Sequence, residues 1–303
     1  MKTAEAIFVL HGDVNRKSKV LSLLEDDAYV VVWPDTSHED AVKNLKGFDP
    51  AKHTVLNIGS KEKLYIGRNN IIDWCKEHDI KRFWMLDDDI LKFRLGGPSQ
   101  EYKNTTFVNG DEHAKCILKN VDFEDDTGLG GLAMSGVMFN KAVDKPKYAK
   151  RFVWAAVFID LDYNPVRYSV EGYDDIDMQL ECLTRGIKIQ THNWIGHTKP
   201  QWLTKKSLNS KVDKINYNNY LVYSKWGDNV KVDVYYDKQR NKYFRAHLRY
   251  PFKNYDPATS KYSTDSVESF VQSLEDDYRD HPENFRVCGL PHMRLENRNQ
   301  EQE

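Results

Sequence analysis

Three consecutive carboxylates, Asp87-Asp88-Asp89, follow the apolar run Phe83-Trp84-Met85-Leu86. In an extended chain alternate side chains share a face, so Asp87 and Asp89 would project together and Asp88 away from them. Two unit charges about 4 Å apart repel by roughly 4 kcal/mol at an effective dielectric near 20, and a cation between them reverses that penalty. Hard carboxylate oxygens suit Mg²⁺ or Mn²⁺, which commonly take one or two carboxylates and fill their remaining positions with water and substrate phosphate. The chemistry expected here is that of a phosphorylated ligand. The competing reading is a solvated turn at a strand end, or a cap on the next helix. An EF-hand does not suit the run, because no Gly stands at its sixth position.

Upstream, Gly67-Arg68-Asn69-Asn70 is read as opening a helix that leads back into the aspartate strand. That would set Arg68 and a helix amino terminus where a diphosphate could lie. A plain N-cap at Asn69 or Asn70, with Arg68 as a surface charge, explains the same residues. A second acidic group, Tyr173-Asp174-Asp175-Ile176-Asp177, begins another helical pattern. Its simplest role is a favourable interaction with the helix dipole, worth about 0.3 to 1 kcal/mol per exposed acid.

The elements that must position these residues alternate in type. Ala6 to Leu10, Tyr29 to Trp33, Thr54 to Ile58 and Phe83 to Leu86 read as strands, with a helix from Asn69 to His78 before the last. Gly96 to Asn109 reads as a loop, Gly130 to Phe139 and Phe152 to Asp160 as strands, and Asp175 to Arg185 as a helix stopped by Gly186. A short β run at Ile187 to Gln190 follows. After about residue 205 tyrosine-rich alternation, as in Val230 to Tyr236 and Tyr243 to Tyr250, predicts hairpins, with a helix around Asp265 to Arg279 and a frayed tail from Asn297 to Glu303. This is an α/β chain with a catalytic-type domain over 1–205 and a smaller β-rich and helical extension over 206–303.

With 40% apolar residues and a net charge of -2, the chain can bury a core and carries no overall field that singles out a partner. Charge is nonetheless segregated. Between Lys199 and Tyr255 thirteen basic residues meet four acidic ones, a local charge of +9, interleaved with aromatics such as Trp202, Tyr220, Trp226 and Tyr243. That mixture suits phosphate contacts and base stacking, as well as ordinary hairpin faces. Cys75, Cys116, Cys182 and Cys288 lack metal or disulfide spacing. The apolar run at Ala6 to Leu10 is too short for a signal segment, and no stretch could span a bilayer, so a cytoplasmic location without a membrane partner is expected.

Taken together, the Arg-Asn helix start, the strand into Asp-Asp-Asp, the Gly128-Leu-Gly-Gly-Leu-Ala-Met-Ser-Gly136 segment and the Tyr-Asp-Asp-Ile-Asp element resemble GT-A glycosyltransferases over roughly residues 5–200. Asp174 stands where that fold more usually has Glu. The resemblance implies a Rossmann-like mixed sheet with helices on both faces, Asp87 and Asp89 as ligands of Mn²⁺ or Mg²⁺, and His197 as third ligand with His192 its rival. It also implies donor contacts from Arg68, Asn69, Asp88 and Gly136 to a nucleotide-sugar, a UDP-sugar first, and Asp175 as base with Asp174 and Asp177 in support. More narrowly, Trp-Met-Leu-Asp-Asp-Asp-Ile and Tyr-Asp-Asp-Ile-Asp are similar to the TET-associated glycosyltransferases, phage enzymes that place sugars on hydroxylated pyrimidines. That resemblance implies a DNA acceptor, bound through the basic aromatic segment. The other readings are a glycan or protein acceptor, or a non-catalytic DNA-binding module.

Overall fold

An unbroken apolar pentapeptide can bury both its faces only inside a sheet. Ala6–Leu10 does so as β1, with all five side chains buried. The computed structural model describes residues 1–11, 17–95, 118–134, 146–149, 152–199, 208–236, 241–248, 261–262 and 265–288. Two compact units divide the chain, Met1–Ser169 with Asp177–Pro200, and Val170–Ile176 with Gln201–Glu303.

In the first unit β2 is Ala28–Val31, β3 His53–Leu56, β4 Arg82–Asp87, β5 Lys92–Leu95, β6 Thr127–Met134, β7 Tyr148–Ala149, β8 Ala156–Asp160 and β9 Lys188–Thr198. They form one nine-stranded sheet in the order β3-β2-β1-β4-β8-β6-β9-β5, with β7 on β9. The strands from β3 to β4 are parallel, whereas β8 runs antiparallel between β4 and β6. Period-two alternation sends Ile7, Val9, Trp84 and Leu86 into one core cluster and Phe8, Leu10, Phe83 and Met85 into the other. Helix α1, His38–Lys43, adds Ala41 to the first cluster. Helices α2, Leu64–Glu77, and α3, Asp174–Thr184, add Ile71, Ile72, Cys75, Met178 and Cys182 to the second. The mixed α/β sheet with helices on both faces is the fold the sequence predicts.

Details differ for local reasons. Helix α2 starts at Leu64 rather than at Gly67 to Asn70, so Arg68 lies in its second turn and neither asparagine is an N-cap. The asparagine amides instead reach outward, Asn69 to the backbone of Tyr168 and Asn70 to the Ile58 carbonyl. β8 begins at Ala156 rather than Phe152, because Ala155 takes a φ of 61° that breaks the extended run. β9 is far longer than the expected Ile187 to Gln190, since buried Thr191, His192, Asn193 and His197 continue it. In β6, a Cβ on Gly130 would lie 2.7 Å from the Phe123 ring, so glycine lets that ring seat on the strand. The expected loop over 96–109, residues 135–139 of the expected strand and the tail lie outside the described residues.

In the second unit α4 is Leu208–Trp226, β10 Val230–Tyr236, β11 Lys242–Leu248, α5 Val267–Asp280 and β12 Val287–Cys288. β10 and β11 form the expected antiparallel pair, and β12 completes a three-stranded sheet. The tyrosine-rich stretch before β10 is a helix and not a hairpin. Its buried stripe, Ile215, Asn219, Val222, Tyr223 and Trp226, has helical period with an asparagine in the middle. Asn219 donates to the Phe244 carbonyl and accepts from the Ala246 amide, stitching α4 to β11. Among the described residues no helix is long and apolar enough to cross a membrane.

Candidate active site

Asp87 closes β4, and Asp88 and Asp89 form the turn beyond it. The Asp87 amide donates to the Ala155 carbonyl at 2.8 Å, fixing the strand end against the backbone just before β8. The turn, and not strand alternation, therefore sets the three side chains. Asp88 points inward, with Oδ2 3.2 Å from His11 Nδ1, while its carbonyl accepts from Ser18 Oγ at 2.7 Å. Both His11 and the Asp88 side chain are buried.

Asp87 and Asp89 turn instead toward two cations. Arg68 Nη2 donates to Asp87 Oδ1 at 2.9 Å, and Lys199, just past β9, places Nζ 2.7 Å from Asp87 Oδ2 and 2.8 Å from Asp89 Oδ1. The Arg68 guanidinium also lies 5.2 Å from the Tyr168 ring centroid, and the Lys199 ammonium 5.4 Å from that of Trp154. Burial raises the Asp87 carboxyl, but Lys199 and Arg68 outweigh it and hold the group below its ordinary range. Asp89 is raised, first by burial and then by repulsion from Asp87 and Asp88, against the pull of Lys199. Burial opposes the Lys199 charge, yet the two aspartates push its pKa up.

The two histidines differ in their surroundings. Burial lowers His197 to about 4, with Lys199 acting in the same direction and Asp87 against it, so it is a neutral imidazole within the field of the aspartates. His192 is also lowered to about 4 by burial, but its charged neighbours are Lys147 and Asp122, and its ring packs edge-on against Tyr148, Phe123 and Trp194. Among the described residues no three His, Cys, Asp or Glu side chains are gathered as a ready metal site. The donor chemistry nevertheless fits a hard divalent ion, because one oxygen from each of Asp87 and Asp89 already converges on a single cationic point.

Asn69 spends both ends of its amide on Tyr168, accepting from its N–H and donating to its carbonyl, and so acts as a backbone clamp. Asp177 is fully buried and accepts from both the backbone and the hydroxyl of Ser169. Asp174 and Asp175 fall in the second unit, where Gly172 has a φ of 79° and a Cβ there would meet Asn218 at 1.9 Å. Asp175 Oδ1 accepts from the Ile176 amide at 2.9 Å. Gly136 lies outside the described residues. A small cavity of about 10 Å³, lined by Leu10, His11, Trp33, Gly59, Ser60 and Leu64, lies at the carboxyl ends of β1 and β2.

In the sequence Lys199 stands out only as the first member of the basic segment. The available signal for the site is that Lys199 stands two residues after His197 and so shares its face of an extended chain. His11 likewise stands out only as the residue at the end of the first apolar strand.

Among solved structures the chain is similar to a mycobacterial protein, at 9% identity and a TM-score of 0.44, over 81% of this chain and 84% of that one. No curated protein matches it. A family model described as TET-associated glycosyltransferase matches residues 27–207, more than half the chain and the whole stretch from β3 through the aspartate turn to Lys199. The chain belongs to the TET-associated glycosyltransferase family.

Proposed function

We propose that this glycosyltransferase moves a hexosyl or pentosyl group from a nucleotide-sugar, a UDP-sugar first, to the hydroxyl of a hydroxymethylpyrimidine in DNA, with Mn²⁺ or Mg²⁺ held by Asp87 and Asp89. The observation that carries the metal and donor reading is the convergence of both carboxylates on one cation beside Arg68. When bound, the ion would supply Lewis-acid stabilisation to a departing diphosphate. Arg68, buried and held by Asp87, adds a fixed positive charge on the same side. His197 supplies a neutral nitrogen near Asp87 as a further ligand. Asp88 acts one step back, orienting the buried His11.

Asp175 is our choice of general base for the acceptor hydroxyl in an inverting transfer, with Asp174 beside it. Asp177 supports them by anchoring the helix start through Ser169. The DNA acceptor is supported by the family's resemblance to DNA-modifying enzymes and by the +9 segment, whose described members include Lys214, Lys225, Lys231, Lys242 and Arg245. A base in duplex DNA would have to flip out for its hydroxymethyl group to reach the donor carbon. We assign the activity to the cytoplasm, in keeping with the scattered cysteines.

Incubation with a panel of nucleotide-sugars, Mn²⁺ and hydroxymethylated or unmodified DNA, followed by mass spectrometry of the digested nucleosides, tests this directly. A sugar mass is expected on the hydroxymethylpyrimidine alone, and should vanish in Asp175→Asn with donor binding retained. Transfer to added glycans but never to DNA would reject the acceptor, and full activity in chelator would reject the metal.

A further inference from the structure

Resting on the reading of Asp87 and Asp89 as a cation pair, we infer that Lys199 is the resident occupant of the cation position, so that a divalent ion enters only by exchange with its ammonium group. Lys199 Nζ takes one oxygen from each carboxylate, at 2.7 and 2.8 Å. These are the oxygens an incoming ion needs, and a Mg²⁺ ligand distance of about 2.0 to 2.1 Å leaves no room for a nitrogen at the same point.

Charge balance points the same way. Arg68 and Lys199 neutralise Asp87 and Asp89 in a group whose side chains are only 4 to 23% exposed. With Asp88 counted, a divalent ion added on top of both cations would turn a net charge of -1 into +1 before any substrate arrived, and an uncompensated buried charge is costly. Departure of one cation removes most of that cost, and the two are not equivalent. Arg68 holds Oδ1 of Asp87 from within helix α2, whereas Lys199 holds Oδ2 from beyond the last residue of β9. A compact ammonium on a flexible four-carbon stem can swing away there without breaking a strand pair. The ammonium therefore competes with metal in the free protein and keeps the aspartates neutralised until a divalent ion displaces it.

The test is Mn²⁺ binding to the full-length protein without donor, read from the electron paramagnetic resonance signal of free Mn²⁺. An internal competitor lowers apparent affinity by the fraction of time that it leaves the site open, so K199M should bind Mn²⁺ about tenfold or more tightly than the wild type. K199R, which keeps the charge, should bind no more tightly than the wild type, and D89N placed in the K199M background should abolish the gain. K199Q serves as a second neutral variant should K199M fail to fold, with circular dichroism as the check. Mn²⁺ binding that is lost in D89N but equal in the wild type and both neutral variants would overturn the exchange and leave the metal reading standing. No Mn²⁺ binding by the wild type or either neutral variant would overturn the metal reading, and the exchange with it.

Discussion

Asp87 divides its two oxygens between two cations while Asp89 shares one of them, and their opposite pKa shifts follow from that difference. Removing the Asp87 charge takes a carboxylate from Arg68 and leaves Lys199 with Asp89, so Asp87→Asn should lower stability by about 3 kcal/mol, as when one partner of a buried pair is deleted. Asp89→Asn should cost clearly less, which urea denaturation of the two variants will show. Equal losses would mean that the shared lysine does not distinguish them. His192 gives a pH prediction. Burial holds it at about 4, below its ordinary 6.5, so the unfolded chain binds the proton first as acid is added. Its contribution is complete above pH 6.5 and is lost as the pH falls toward 4, by up to about 3 kcal/mol. His192→Phe should flatten the fall of the denaturation midpoint across that window. A profile parallel to the wild type would refute the assignment.

At the scale of elements, the glycine-rich strand β6 is a packing device. Gly130→Ala would drive a methyl group into the Phe123 ring, which also packs against Phe158 at a centroid distance of 4.8 Å, and should cost about 1 to 3 kcal/mol by thermal melting. An unchanged melting temperature would show that the ring can move aside. How much of this was legible depended on how each element spends its polar residues. β1, β4 and the β10–β11 pair carry unbroken or alternating apolar runs, and their sequences announce them. Helix α4 hides its period, because Asn219 sits in the buried stripe and Tyr and Asn lower its propensity. The second half of β9 is hidden likewise, since its buried residues are Thr, His and Asn, polar types that leave no apolar period to read. The candidate site divides in the same way. Asp87 and Asp89 are legible from a strand that ends in acids, while Lys199 and His11 become visible only when the sheet sets β1 beside β4 and pairs β9 with β5, just past the aspartate turn.

For the whole molecule, the segregation of positive charge after Lys199 predicts a strong ionic-strength dependence of the proposed DNA binding. Log affinity against log salt should fall with a slope near -0.9 for each phosphate neutralised. Lys214→Glu with Lys225→Glu should flatten that line in fluorescence anisotropy titrations, and a slope unaffected by both changes would locate the contacts elsewhere. The order of synthesis has a consequence of its own. Lys199 comes 112 residues after Asp87 in the chain. At about 5 to 20 residues per second, a translating ribosome makes the acidic turn roughly 5 to 20 s before its lysine. During that interval the nascent turn is open to cellular Mg²⁺, before the side chain that will compete for the same two oxygens has been made.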